Sequence, residues 1–179
     1  MKNLLLVALL LAGAGAVPAP AQRHVQHISS WGAHLGRSGK GDFYELSNTS
    51  MLTNRLALRT SVLRDAGTLS GRGEYSSYVG RVLLAPQLFR LGEVAYVHLL
   101  LGASADYERT GENGTVEPAA DAQEPQRFTY GPLAGAEVDC FLGNRLSLVA
   151  TATKGYLFNN PIIDQWPGYA SAGLRYHFR

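Results

Sequence analysis

Alternation with a period of two is the feature that most constrains this chain. Its longest instance places Ala95, Val97, Leu99, Leu101, Ala103 and Ala105 opposite Tyr96, His98, Gly102, Ser104 and Asp106. Successive side chains of an extended backbone leave opposite sides of a sheet, so this spacing reads as a strand with one apolar and one polar face. The same pattern recurs over 31–36, 55–62, 81–88, 128–139, 145–153 and 171–178, and more weakly in "DFYELSNT". No window after the N-terminal segment sustains a helical period. The expectation is an all-β chain of eight antiparallel strands.

The breaks between strands point to the same architecture. "NTSMLTN", "FRLGE" and "FLGNR" are compact, whereas "RSGKGD", "DAGTLSGRGE", "ERTGENGTVEPAADAQEPQ" and "FNNPIIDQWPG" are mostly longer and richer in turn residues. An even strand count with short turns at one end and long loops at the other is the pattern of a transmembrane β-barrel. Several strands also reach the ~9–11 residues that a tilted bilayer crossing needs. Pro86 and Pro132 each remove a ladder donor and require a bulge or a strand end.

Periodicity does not by itself say which face looks outward, and a soluble lipocalin-like barrel would turn its apolar face in. Here the polar face mixes Gly, Ser and Thr with Arg59, Arg81, Asp106, Glu137, Asp139, Arg145 and Arg175. Charges of both signs suit an interior of ion pairs better than a solubilising coat. Lysine is scarce as well: beyond the first residues only Lys40 and Lys154 remain. We therefore expect the apolar face to meet lipid and the lumen to be a plug rather than a pore. Lys154 shares its face with Leu146, Leu148, Ala150 and Ala152, which demands that it sit near the outer interface, where its stem can snorkel. Tyr156 and Phe158 follow it as girdle aromatics.

The N-terminal "MKNLLLVALLLAGAGAVPAPAQ" reads as a secretory signal peptide over 1–21, with small-x-small sites after Ala16 and Ala21. The second site would leave Gln22 to start a barrel domain of 22–179. Its apolar run is shorter than the ~20 residues of a spanning helix. No cysteine lies near either site, which excludes lipid anchoring there, and the single Cys140 can form no internal disulfide. Cys140 is read as a small apolar strand residue rather than a reactive thiol. A net charge of +2 with 17% charged residues gives no reason to expect direct nucleic-acid binding.

Candidate chemistry is sparse. His24 and His27 have metal-compatible spacing but no carboxylate or cysteine beside them, so a solvated arm is expected and no metal or cofactor. A barrel hydrolase acting on lipid would need Ser, His and an acid converging at a rim. Ser104, Ser147 and Ser171 share the polar face with His98, His177, Glu137 and Asp139, but nothing marks one as a nucleophile, and no enzyme is expected. "NGT" at Asn113 matches a glycosylation acceptor only in a eukaryotic secretory pathway. Ile162, Ile163 and Trp166 form a candidate interaction loop, together with the Ala/Glu/Pro-rich loop 108–126. The competing expectation is that the last loop folds over the mouth and buries its own Trp.

Ser171, Gly173, Tyr176 and Phe178, in the order polar-x-Gly-x-x-aromatic-x-aromatic, resemble the C-terminal strand by which outer-membrane barrels are recognised for assembly. Arg179 after the last aromatic departs from that pattern. The resemblance implies that Gly173, Tyr176 and Phe178 belong to a strand read by the assembly machinery and closed against the first. "FTYGPLAGAEVDCFLGNRLSLVATATKGYLFNN" followed by "GYASAGLRYHF" is similar to the conjugal-transfer TraO family, small outer-membrane proteins of Bacteroidetes-type conjugative transposons. That likeness implies an outer-membrane location and a part in a mating apparatus among other proteins of that apparatus, and carries no catalytic residue. The alternatives are a general small barrel for adhesion or envelope integrity, a lipid-modifying barrel enzyme, or a soluble binder.

Overall fold

The computed structural model describes residues 28–69, 73–92, 94–110 and 126–178. The expected signal peptide 1–21, His24, His27, Asn113, most of the expected loop 108–126 and Arg179 lie outside the described residues. Eight strands follow in order: β1 Ser29–Ser38, β2 Gly41–Thr53, β3 Leu56–Leu69, β4 Gly73–Leu91, β5 Ala95–Thr110, β6 Gln126–Phe141, β7 Leu146–Gly155 and β8 Gly168–Phe178. Each pairs antiparallel with its sequence neighbour, and β8 returns to β1 with Ala33 opposite Leu174, closing the barrel. Closure leaves no free edge, which is what a strand-built wall in hydrocarbon requires.

The alternation fixes the two surfaces. Trp31, Leu35, Val62, Val82, Leu101, Leu148 and Leu174 are exposed on the outside, while Arg59, Arg81, Asp106, Glu137, Asp139 and Arg175 are buried inside. This is the inverse of a soluble lipocalin-like barrel. Trp31, Phe89, Tyr176 and Phe178 mark the end with the short turns. Tyr44, Tyr78, Tyr107, Phe128, Tyr130 and Phe158 mark the other. Such paired aromatic girdles bracket the apolar band of a membrane barrel.

Two sequence expectations need correcting. "RSGKGD" and "DAGTLSGRGE" are not long loops: β1 and β2 are joined across Gly39 and Lys40, and β3 and β4 stay paired out to Leu69 opposite Gly73. Gly41 and Gly67 face one another, and a Cβ at Gly41 would lie 2.1 Å from the Ala66 carbonyl oxygen, so glycine here permits close pairing rather than a turn. The genuinely long connections are 111–125 and 156–167, both at the same end. Arg145, expected in the lumen, is exposed in the β6–β7 turn, where its Nη1 donates to the Tyr176 hydroxyl at 3.3 Å. Its period-two position belongs to a strand that begins one residue later.

Both prolines fit the ladder. Pro86 precedes a register shift between Gln87 and Phe89 in the β4–β5 pairing. The Pro132 carbonyl accepts from Tyr156 N at 3.1 Å, beyond the end of β7. A strand residue directs its N–H and C=O to the same side. The missing Pro132 donor therefore faces the place where β7 has left the sheet.

Candidate functional site

The barrel interior is stacked in layers that follow from inward-pointing positions. Near the short-turn end, Met51, Ala57, Leu83, Ala85, Leu100 and Leu133 pack together with Ile28. Toward the other end Phe43, Leu63, Val79 and Tyr169 form a second apolar cluster, with Phe43 and Tyr169 in an edge contact at 5.5 Å. Beside these lies an ionic chain spanning four strands. Arg59 on β3 donates to Glu45 on β2 at 3.0 Å and to Glu137 on β6; Arg175 on β8 donates to Glu137 and to Asp139, each at 2.8 Å. Every one of these side chains is at most 3% exposed. Glu137 is the node, because it accepts from both guanidinium groups.

Arginine suits this role because its planar fork can serve two carboxylates at once. The chain holds three carboxylates against two guanidinium groups; Arg81, buried in the same lumen, lies 4.1 Å from the centroid of the Tyr169 ring. Among the described residues, these side chains project into the lumen from four strands and are almost fully buried there. Glu45 was not singled out by its sequence, since its face also carries Phe43 and Leu63 opposite, and a mixed face blurs the alternation.

The serine and histidine candidates are brought together only in part. Ser147 Oγ lies 2.9 Å from His177 Nε2, and the Phe141 ring stacks on His177 at 4.7 Å. Ser171 is engaged with Thr151 at 2.7 Å, and His98 Nδ1 lies 3.4 Å from the Ala85 carbonyl. Both members of the Ser147–His177 pair are buried, and the adjoining cavity bounded by His98, Asp139, Arg175 and His177 measures about 10 Å³, room for a single water. Cys140 points outward beside Leu148 and is half-buried.

The last loop caps the mouth. Leu157 N donates to Gln165 O at 3.0 Å and Gly155 N to Pro167 O at 3.0 Å, which folds 156–167 back on itself. Asn159 and Asn160 take the positive φ angles of 73° and 50° that this reversal requires, and Asn159 Nδ2 caps the Phe128 carbonyl at 2.8 Å. The three loop candidates separate here. Ile162 is buried, and its N–H is held by Glu108 Oε2 at 2.6 Å. Ile163 is half-buried and lines a small outer cavity with Asp65, Asp106, Glu108 and Tyr169. Trp166 is 58% exposed and meets the Tyr156 ring edge-on, with centroids 4.7 Å apart, within the girdle. The loop does cover the mouth, but it buries an isoleucine and leaves its tryptophan outside. Glu108, expected at the start of the loop 108–126, lies instead on β5 and is buried on its inward parity with Asp106 and Ser104.

The closing strand is equally specific. Gly173 lies opposite His34, and a Cβ there would come within 2.1 Å of the Ala33 carbonyl oxygen. Tyr176 and Phe178 point outward and contact edge-on at 5.1 Å, next to Trp31 across the seam.

No protein-family profile matches the chain, and no curated protein is similar to it in sequence. Solved structures do match in shape. A major outer membrane protein from Thermus thermophilus superposes with a TM-score of 0.65 at 13% identity, over 84% of this chain and 99% of that one. The N-terminal β-barrel domain of Pseudomonas aeruginosa OprF gives 0.62 at 12% identity, over 86% and 98%. Ail, the attachment invasion locus protein of Yersinia pestis, gives 0.57 at 17% identity, over 86% and 100%. The fold is that of the small bacterial outer-membrane barrels.

An eight-stranded barrel has an interior about wide enough for side chains to fill, and the buried ionic chain above projects into it. Its membrane band is defined by the two girdles. Lys154, with Ala134 and Gly168 as its neighbours across the ladder, is exposed two residues before Tyr156, so it reaches the outer girdle as its parity demands.

Proposed function

We propose that the protein is a non-enzymatic structural or interaction component of the bacterial outer membrane, acting through its outer rim rather than by conducting a solute. The observation that carries this reading is the Glu45–Arg59–Glu137–Arg175–Asp139 chain, which fills the lumen between four strands. The rim offers Trp166, while Ile162 serves to seat the cap.

The finer reading is membership of a conjugative DNA-transfer apparatus. It is supported by the TraO-like stretch 128–160 and its continuation at 168–178. Its partners would be other proteins of that apparatus and, during biogenesis, the barrel-assembly machinery that engages the strand carrying Gly173, Tyr176 and Phe178. Direct contact with the transferred DNA is not part of this role.

An in-frame deletion tests it: transfer frequency should fall and be restored by the wild-type gene. A second variant lacking 160–167 asks whether the cap loop carries the contact, with heat-modifiable migration reporting that the barrel still folds. Unchanged transfer in the deletion strain, together with lost surface attachment or increased detergent sensitivity, would favour the general adhesion or envelope reading. The fold shared with the attachment protein Ail is the observation on that side.

A further inference from the structure

The lipid-facing wall is not uniformly convex. Across β8, β1, β2, β3 and β4 it carries a groove of about 700 Å³, lined on its outer surface by Ala33, Leu35, Tyr44, Leu46, Val62 and Leu174. Ala33 and Ala172 make its floor low, and the bulky Leu, Val and Tyr side chains flank it. At one end the groove reaches Arg64, whose neighbours across the ladder are Tyr44 on β2 and Tyr78 on β4. The guanidinium carbon stands 5.9 Å from the centroid of the Tyr78 ring.

Arg64 is exposed and makes no ion pair among the described residues, whereas Arg37 on the adjacent wall is satisfied by Asp42 at 3.0 Å. An uncompensated guanidinium at girdle height, with a dry concave track leading from it toward the middle of the bilayer, has the shape of an amphiphile's complement. An anion at the headgroup level would satisfy the charge, and an apolar chain would fill the track.

We propose that this groove is a lipid-binding site that seats an acyl chain of a membrane lipid whose headgroup phosphate pairs with Arg64. The inference rests on the membrane reading of the barrel. Arg64 supplies selectivity for the anionic head; Ala33 and Ala172 supply space for the chain.

The test uses the protein purified from membranes in non-ionic detergent, titrated with dioleoyl phosphatidic acid or dioleoyl phosphatidylcholine and read by native mass spectrometry. The wild type should bind one phosphatidic acid roughly tenfold more tightly than phosphatidylcholine. Arg64→Gln should erase that preference, and Arg64→Lys should keep most of it. Ala172→Phe should weaken both lipids by filling the floor, with Ala33→Leu as a second filling variant should the first fold poorly. Arg109→Gln, a change of an outward basic residue away from the groove, should alter nothing. Equal affinities in the wild type, a preference that survives Arg64→Gln, an equal loss in Arg109→Gln, or a protein dimer abolished by Ala172→Phe would each overturn the proposal. Fractionation away from membranes would instead overturn the membrane reading itself.

Discussion

Replacing Glu137 by Gln isolates what the ionic chain contributes. The side chain is 2% exposed and accepts from Arg59 and Arg175, so the neutral amide leaves two buried guanidinium groups each short of a charged partner. Arg59 retains Glu45 and Arg175 retains Asp139, so neither charge is orphaned completely. Removing one partner of a buried pair typically costs about 3–5 kcal/mol, and we expect the lower half of that range because of these remaining contacts. With a urea slope of about 2 kcal/mol per molar, a loss of 3 kcal/mol would move the unfolding midpoint down by about 1.5 M. The assay is reversible urea unfolding in lipid vesicles. Fluorescence of Trp31 and Trp166, both lipid-facing and at opposite ends, reports the transition. A loss below about 1 kcal/mol would mean that water screens the pair. The lumen would then be wet, and the reading of a sealed plug would be wrong.

Three further outcomes follow from the same geometry. Glu108→Ala should release the Ile162 amide, raising hydrogen exchange and protease cleavage within 157–167 while costing the barrel only about 1–2 kcal/mol; unaltered exchange at Ile162 would show that the cap is held by other contacts. Gly173→Ala places a methyl against the β1 backbone at the seam, so the heat-modifiable folded fraction in membranes should drop, by an overpacking cost of about 1–3 kcal/mol. Lys154→Leu should change stability by less than about 1 kcal/mol, as an interfacial lysine would; a gain above about 2 kcal/mol in vesicle unfolding would place Lys154 near the midplane and shift the whole membrane band.

Much of the fold was legible because a period of two allows each strand residue only two destinations. Once Leu99 and Leu148 are assigned to one surface, His98 and Val149 must take the other, and the error of a single residue would invert an entire strand. That is why Arg59, Glu137 and Arg175 could be placed in the lumen without knowing their neighbours. It is also why Arg145 failed, since the rule lapses where the β6–β7 turn interrupts the ladder. Loop lengths were less legible: "DAGTLSGRGE" has the composition of a loop, yet 65–69 and 73–74 within it are paired because β3 and β4 continue beyond the girdle.

By itself the amino-acid order determined the number of strands and their sidedness, because these depend on spacing along one strand at a time. Which charges pair was decided only in three dimensions. Arg59 meets Glu137 across 78 residues of sequence because the stagger of the closed sheet brings β3 and β6 to the same level inside the lumen. The fates of Ile162 and Trp166 were likewise open until Glu108, on another strand, fixed one of them beneath the cap. A loop has no period to declare its faces, so only the surface it lands on can assign them.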